Sequence, residues 1–187
     1  MSQLPAFLTH QNGELHLEGV ALSRLAREHG TPLFVYSRAA MLAALAAYQR
    51  GLAGRDHLIC YAMKANSSLA ILQTLVRAGC GLDIVSAGEL ERALAAGYQP
   101  GFQAEQGHAE IVFTADLFDA ATLDCVVEHG VPVNAGSIDM LHQLGARSPG
   151  HAVWLRINPG FGHGHSNKTN TGGEHSKHGI WHTDLPA

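Results

Sequence analysis

Six short apolar runs recur along this chain at a nearly constant interval. They are Leu33–Tyr36, Leu58–Ala62, Leu82–Val85, Ile111–Thr114, Val131–Asn134 and Val153–Ile157, and they begin 25, 24, 29, 20 and 22 residues apart. An interval of that size accommodates one strand, one helix and two loops. The runs are almost continuously apolar, as strands of a parallel sheet are when both faces are covered. The segments between them carry helix punctuation. Ser86-Ala-Gly-Glu89 has the spacing of a capping box ahead of Leu90–Ala96, and Gly97 follows. Ser67 or Ser68 opens a helix over Leu69–Ala78, and Ser37 opens one over Arg38–Arg50. Ser137 opens the helix that runs toward Gly145, and Ala21–His29 is closed by Gly30 and Pro32.

Repeated βα units build either a doubly wound sheet or a barrel. A dinucleotide-binding sheet carries G-x-G-x-x-G after its first strand. Here the first run leads into Tyr36-Ser37-Arg38, and the later Gly160-Phe-Gly162-His-Gly164 has another spacing and enters a polar loop. The chain therefore predicts an α/β fold, a partial (β/α)8 TIM-type barrel of about six βα units. Residues 1–30 read as an N-terminal arm with a short helix, and 31–187 as an incomplete barrel. A full barrel has eight units and about 250 residues. Trp181–Ala187 reads as the start of a further helix, so a fragment cut inside a domain is expected.

The composition is that of a globular chain: 187 residues, 46% hydrophobic and 15% charged, enough for one sizeable core. The net charge of -4, with acids and bases interspersed, argues against a nucleic-acid surface, which needs a basic patch. No apolar run nears the roughly 18 residues of a membrane helix, and the N-terminus lacks the basic-then-apolar pattern of a signal peptide. The three cysteines lie far apart, Cys60 and Cys80 at strand or strand-edge positions and Cys125 in a helix. Free thiols in a reducing cytoplasm fit that spacing better than a disulfide framework.

Lys64 is the first candidate for chemistry. It stands in Tyr61-Ala-Met-Lys64-Ala-Asn66-Ser-Ser68, where an apolar run ends. Burial disfavours the charged form of an amine and leaves a nucleophile that condenses with an aldehyde cofactor or a carbonyl substrate. The plainer reading is a solvated lysine at a strand end. Asp83, on the next run, is either a partner for that ammonium or an aspartate of a loop or helix terminus. Glu89 reads first as the N3 partner of Ser86. Arg156 lies within Val153-Trp-Leu-Arg-Ile, where a guanidinium needs a partner. It is suited either to a structural ion pair or to a carboxylate or phosphate. His163, His165, His175, His178 and His182 crowd the last stretch. No H-E-x-x-H pattern and no acidic third ligand at helical spacing accompanies them, so no metal is expected.

Four stretches resemble the diaminopimelate decarboxylases, pyridoxal-phosphate enzymes of lysine biosynthesis, in their proteobacterial form. They are Tyr61-Ala-Met-Lys64-Ala-Asn66-Ser, Leu82-Asp83-Ile-Val-Ser86-Ala-Gly-Glu89-Leu-Glu91-Arg92-Ala, Ile111-Val-Phe-Thr-Ala-Asp116, and the run from Val153 to Trp181. The first two are shared with decarboxylases of ornithine and arginine, and the last is more specific. The resemblance implies an alanine-racemase-like barrel followed by a β-rich C-terminal domain that this chain lacks. The family's first short strand, here near Leu15–Leu17, normally joins that domain and would find no partner sheet here. It implies that Lys64 carries pyridoxal 5'-phosphate as a Schiff base, that Asp83 and Arg156 lie at the cofactor, and that Glu89 matches a further site position. Lys177 matches a lysine directed at the substrate or the partner subunit of a homodimer. The implied reaction is decarboxylation of meso-2,6-diaminopimelate to L-lysine and CO2, in the cytoplasm. The phosphate loop and the acid facing the pyridine nitrogen lie downstream in the family, so the chain alone is expected to be inactive. Alternatives are a related basic amino acid decarboxylase, a non-catalytic pyridoxal-phosphate-binding barrel and a His-rich metal module.

Overall fold

A computed structural model describes residues 7–103, 108–166 and 169–185. The chain divides into two units, Met1–Ile59 and Cys60–Ala187.

The first unit opens with three antiparallel strands, β1 (Leu8–Gln11), β2 (Glu14–Leu17) and β3 (Val20–Ala21). Asn12-Gly13 and Glu18-Gly19 connect them with both residues of each pair at positive φ, the mirror-image turn that matches strand twist. The segment near Leu15–Leu17 therefore does have a sheet, contrary to expectation: Leu15 and Leu17 face His10 and Leu8 in a local hairpin. Helices α1 (Leu22–His29) and α2 (Arg38–Gly51) follow. The Ser37 hydroxyl caps α2, accepting from the Ala40 N–H at 2.9 Å. The Glu18 carboxylate adds to the cap, accepting from the Ser37 hydroxyl and from the Ala39 N–H. Leu33–Tyr36, expected as the first strand, joins no sheet, and Phe34 is 84% exposed. Apolar character alone does not make a strand; a ladder partner is also needed, and this run has none among the described residues.

The second unit contains β4 (Cys60–Ala62), α3 (Leu69–Arg77), β5 (Gly81–Ile84), α4 (Ala87–Ala96) and a small antiparallel pair, β6 (Phe102–Gln103) with β7 (His108–Ala109). It continues with β8 (Ile111–Ala115), α5 (Ala120–Glu128), β9 (Val133–Ala135), α6 (Ile138–Arg147) and β10 (Val153–Leu155). Five of these strands form one parallel sheet in the order β10-β9-β8-β5-β4. Each strand pairs with the next one of the βα series, and the order never reverses. A doubly wound sheet would reverse at a switch point. Crossovers of one hand between successive neighbours put every helix on the same face, which is barrel construction.

Leu82, Ile84, Ile111, Phe113, Val133 and Ala135 fill that helix-covered face, against Leu72, Leu90, Val126 and Met140. All of these are essentially inaccessible to solvent. The opposite face carries alternate residues. Register sets Ala62, Asp83 and Val112 side by side, and then Thr114, Asn134 and Trp154.

Val153–Ile157, expected as one strand, is two. The chain leaves the main sheet at Arg156, and β11 (Ile157–Asn158) pairs instead with β12 (Ile180–Trp181). Trp181 thus ends a strand and 182–185 form turns, where a helix was expected; residues 186 and 187 lie outside the described residues. Among the described residues no helix is long and apolar enough to cross a membrane.

Candidate functional site

The carboxyl ends of β4, β5, β8, β9 and β10 gather at one end of the parallel sheet, and the candidate residues stand there. Lys64 follows β4 directly, in a single 3-10 turn, Met63–Ala65. Met63 is fully buried and anchors the turn, which the Asn66 N–H closes on the Met63 carbonyl at 3.0 Å. The Asn66 side chain accepts from the Ser68 N–H at 2.9 Å, so Asn66 shapes the entry to α3 while the Ser68 hydroxyl makes no cap bond. The Lys64 side chain is exposed. The desolvation expected of an amine at a strand end is not supplied by this chain's own residues. A 3-10 turn lifts the lysine off the sheet, and no described residue covers it.

Asp83 lies on β5, opposite Ala62, and is half-buried. Its Oδ1 is fully buried and has no hydrogen-bond partner among the described residues. Such an oxygen costs about 1–3 kcal/mol of desolvation unless something donates to it. Glu89 is engaged at the start of α4. Its N–H donates to the Ser86 hydroxyl at 3.2 Å, and its Oε2 accepts from the Val85 N–H at 2.8 Å. The carboxylate reaches one residue further back than in the reciprocal capping box, but serves the same end.

One register row beyond Thr114, Asn134 and Trp154 come Asp116, Gly136 and Arg156. The ladder still holds there: the Gly136 N–H donates to the Ala115 carbonyl and the Arg156 N–H to the Ala135 carbonyl, each at 2.9 Å. Arg156 and Asp116 are two strands apart, and the glycine between them carries no side chain. A Cβ on Gly136 would lie 2.1 Å from Asp116 Oδ1 and 2.6 Å from the Ala115 carbonyl. Across that gap Arg156 Nη1 reaches Asp116 Oδ1 at 3.4 Å, with the two side chains 29% and 24% exposed. His178 Nδ1 meets Asp116 Oδ2, and the Gly179 N–H points at Asp116 Oδ1 at 3.4 Å.

The 159–179 loop is folded back by Asn158. This buried amide donates to the Gly173 carbonyl and accepts from the Gly173 and Gly160 N–H groups. Gly162 and Gly172 let the loop's two arms touch; a Cβ on Gly162 would stand 2.8 Å from the Gly172 backbone. The loop returns beside the start of α6 and borders a cleft of about 320 Å³ lined by Asp116, Ser137, Asp139, Lys177, Trp181 and Asp184. Lys177 itself is exposed. Among the described residues no three His, Cys, Asp or Glu side chains group so as to hold a metal.

The fold thus brings Asp83 beside the strand that delivers Lys64, and brings Arg156 together with His178. Lys64 and Arg156 stand at opposite edges of the sheet, β4 and β10, without a direct contact. Sequence reasoning gave no role to Asp116 or Gly136, and weighed His178 only as one of five histidines of a metal-binding tract. The signal was the equal spacing of 116, 136 and 156, which marks the same position beyond three successive strands.

Residues 38–187 match the family described as pyridoxal-dependent decarboxylase, pyridoxal binding domain. A diaminopimelate decarboxylase of Streptomyces coelicolor is 56% identical over 169 residues, which cover 90% of this chain and 36% of the relative. A solved diaminopimelate decarboxylase superposes with a TM-score of 0.76 at 53% identity, over 88% of this chain and 37% of that one. The Helicobacter pylori diaminopimelate decarboxylase, solved with L-lysine, gives 0.77 at 31% identity, over 87% of this chain and 40% of that one. The chain spans less than half the length of these relatives. With a lysine at the end of the first barrel strand and this match along most of its length, the chain belongs to the pyridoxal-dependent decarboxylase family, through its pyridoxal-binding domain.

Proposed function

We propose that the protein to which this chain contributes is a diaminopimelate decarboxylase, removing one carboxylate of meso-2,6-diaminopimelate as CO2 to leave L-lysine. The observation that carries this reading is the exposed ε-amine of Lys64 at the carboxyl end of β4, beside a strand bearing the half-buried Asp83. The residues present fit an aldehyde-bearing phosphate cofactor. They offer an accessible amine, a guanidinium and a buried carboxylate oxygen that lacks a donor among the described residues.

In the chemistry, the bond between the α-carbon and a carboxylate breaks, CO2 departs and a proton takes its place on that carbon. Bound pyridoxal phosphate supplies the electron sink for the pair left behind. Lys64 would hold the cofactor by its ε-nitrogen, and its amine can carry the proton that takes the place of the carboxylate. Asp83 accepts from a cationic or N–H donor at the site, which would satisfy the oxygen that is otherwise unpartnered. Arg156 has five N–H donors, of which the hydrogen bonds described engage only Nη1, so the others are available to an anionic group. Glu89 holds the β5–α4 corner in place and acts there as a cap. Lys177, exposed at the rim of the cleft, is directed at substrate or at the partner subunit of a homodimer.

Borohydride reduction in the presence of pyridoxal phosphate, followed by peptide mapping, tests the assignment. Label is expected on the peptide containing Lys64 and is expected to vanish in Lys64→Ala. Label spread over other lysines, or retained in Lys64→Ala, would overturn it.

A further inference from the structure

We propose that Asp116 is a positioning residue, a carboxylate clasp that sets Arg156 toward the cofactor and fixes the tautomer of His178. The proposal rests on the proposed function for what Arg156 contacts, and on geometry alone for the clasp. Asp116 receives three donors from three directions: Arg156 Nη1 from the end of β10, His178 Nδ1 from the returning loop, and the Gly179 N–H beside it. All three converge because Gly136, between the two strand ends, leaves the space a Cβ would fill.

The chemistry of the three groups favours a carboxylate between them. Arg156 Nη1 and His178 Nδ1 stand 3.5 Å apart. A guanidinium only donates, and an imidazole nitrogen that donates to Asp116 carries a proton. Two N–H groups therefore face each other, and only the two oxygens of Asp116 let both donate. With Nδ1 protonated by this bond, neutral His178 presents Nε2 as its acceptor, the arrangement a carboxylate imposes on an imidazole wherever the two are paired. Loss of the carboxylate leaves one arrangement that satisfies both groups: His178 moves its proton to Nε2, Nδ1 accepts from Arg156, and the guanidinium turns toward the histidine and away from its former direction.

The protein to which this chain contributes, with Asp116→Ala, Arg156→Ala and both substitutions, provides the test, read as the pyridoxal phosphate concentration that half-saturates borohydride labelling of Lys64. Asp116→Ala is expected to raise it by about tenfold, the effect of one lost charge-assisted hydrogen bond on orientation. In the Arg156→Ala background the same substitution is expected to add nothing, because Asp116 acts through Arg156. An equal factor in both backgrounds, or no effect in either, overturns the positioning role. The His178 tautomer is read separately, without cofactor, by long-range proton–nitrogen correlation: Nδ1–H is expected in the unsubstituted chain and Nε2–H in Asp116→Ala. Nε2–H in the unsubstituted chain overturns the clasp even if every variant fails to fold. Absence of label on Lys64 in the protein to which this chain contributes, with Nδ1–H observed, overturns the proposed function and leaves the clasp standing.

Discussion

Two buried polar atoms lack a hydrogen-bond partner among the described residues, Asp83 Oδ1 and the Tyr98 hydroxyl. They are not equivalent. Asp83 lies on the face away from the helices, next to the strand that delivers Lys64, where a ligand can donate to it. Tyr98 is 2% exposed and belongs to the helix-packed core. Burial pushes its phenol well above the ordinary range, and the nearby Cys80 and Glu110 push it further. A buried hydroxyl without a partner costs about 1–3 kcal/mol, and removing it removes that cost while leaving the ring's packing intact. Tyr98→Phe is therefore expected to raise the urea midpoint, by the equivalent of about 1 kcal/mol. A drop of similar size would mean that the hydroxyl has a partner after all. The contrast separates a polar group open to a ligand from one enclosed in the packed core.

At the level of elements, the corner from β5 into α4 shows how a site is held. Ser86 Oγ accepts from the Glu89 N–H, and Glu89 returns its carboxylate to the Val85 N–H. Ser86→Ala is expected to cost about 1 kcal/mol, the usual value of an N-cap. Glu89→Gln, which keeps an acceptor, should cost less than Glu89→Ala in the same denaturation series. This corner was legible in the sequence because a cap is local: five consecutive residues, 85–89, contain the whole interaction. The strands β5 and β8 were legible within a residue, since their apolar runs lie in the middle of the sheet and burial acts on every position. Leu33–Tyr36 was misread because a run's composition does not say whether a neighbour exists to pair with it. The break at Arg156 was hidden for the same reason, since each residue of β11 pairs with one of β12 that lies 23 positions further along the chain. The group formed by Asp116, Gly136 and Arg156 was present in the spacing, yet only the parallel register turns equal spacing into one row.

Over the whole second unit, sequential strand order puts the helices on one side and the strand ends at one rim, so chemistry and stability occupy different parts of the same sheet. The thiols fall on the stability side. Cys60 begins β4, and Cys80 stands immediately before β5, opposite the end that carries Lys64. Burial pushes the Cys60 thiol up to about 11 from its ordinary 9.0, with the charges of Cys80 and Asp83 adding to the effect. Burial also raises Cys80 and Cys125. A raised thiol favours the neutral form in the folded state. Between pH 9 and 11 the folded chain consequently binds more protons than the unfolded one, and stability must fall as pH rises. For Cys60 the contribution is fully present below pH 9 and is lost by about pH 11. Cys60→Ser would bury a hydroxyl and confuse the reading, so Cys60→Ala is the better comparison: its urea midpoint should decline less steeply across this range. Alkylation of Cys60 follows the same logic, because the thiolate is the reactive form. At pH 8 its rate should be limited by opening of the unit and should rise with urea in step with the loss of helix signal. Rapid alkylation at pH 8 in the absence of urea would show that β4 is open at its edge and that the sheet is cooperative only from β5 onward.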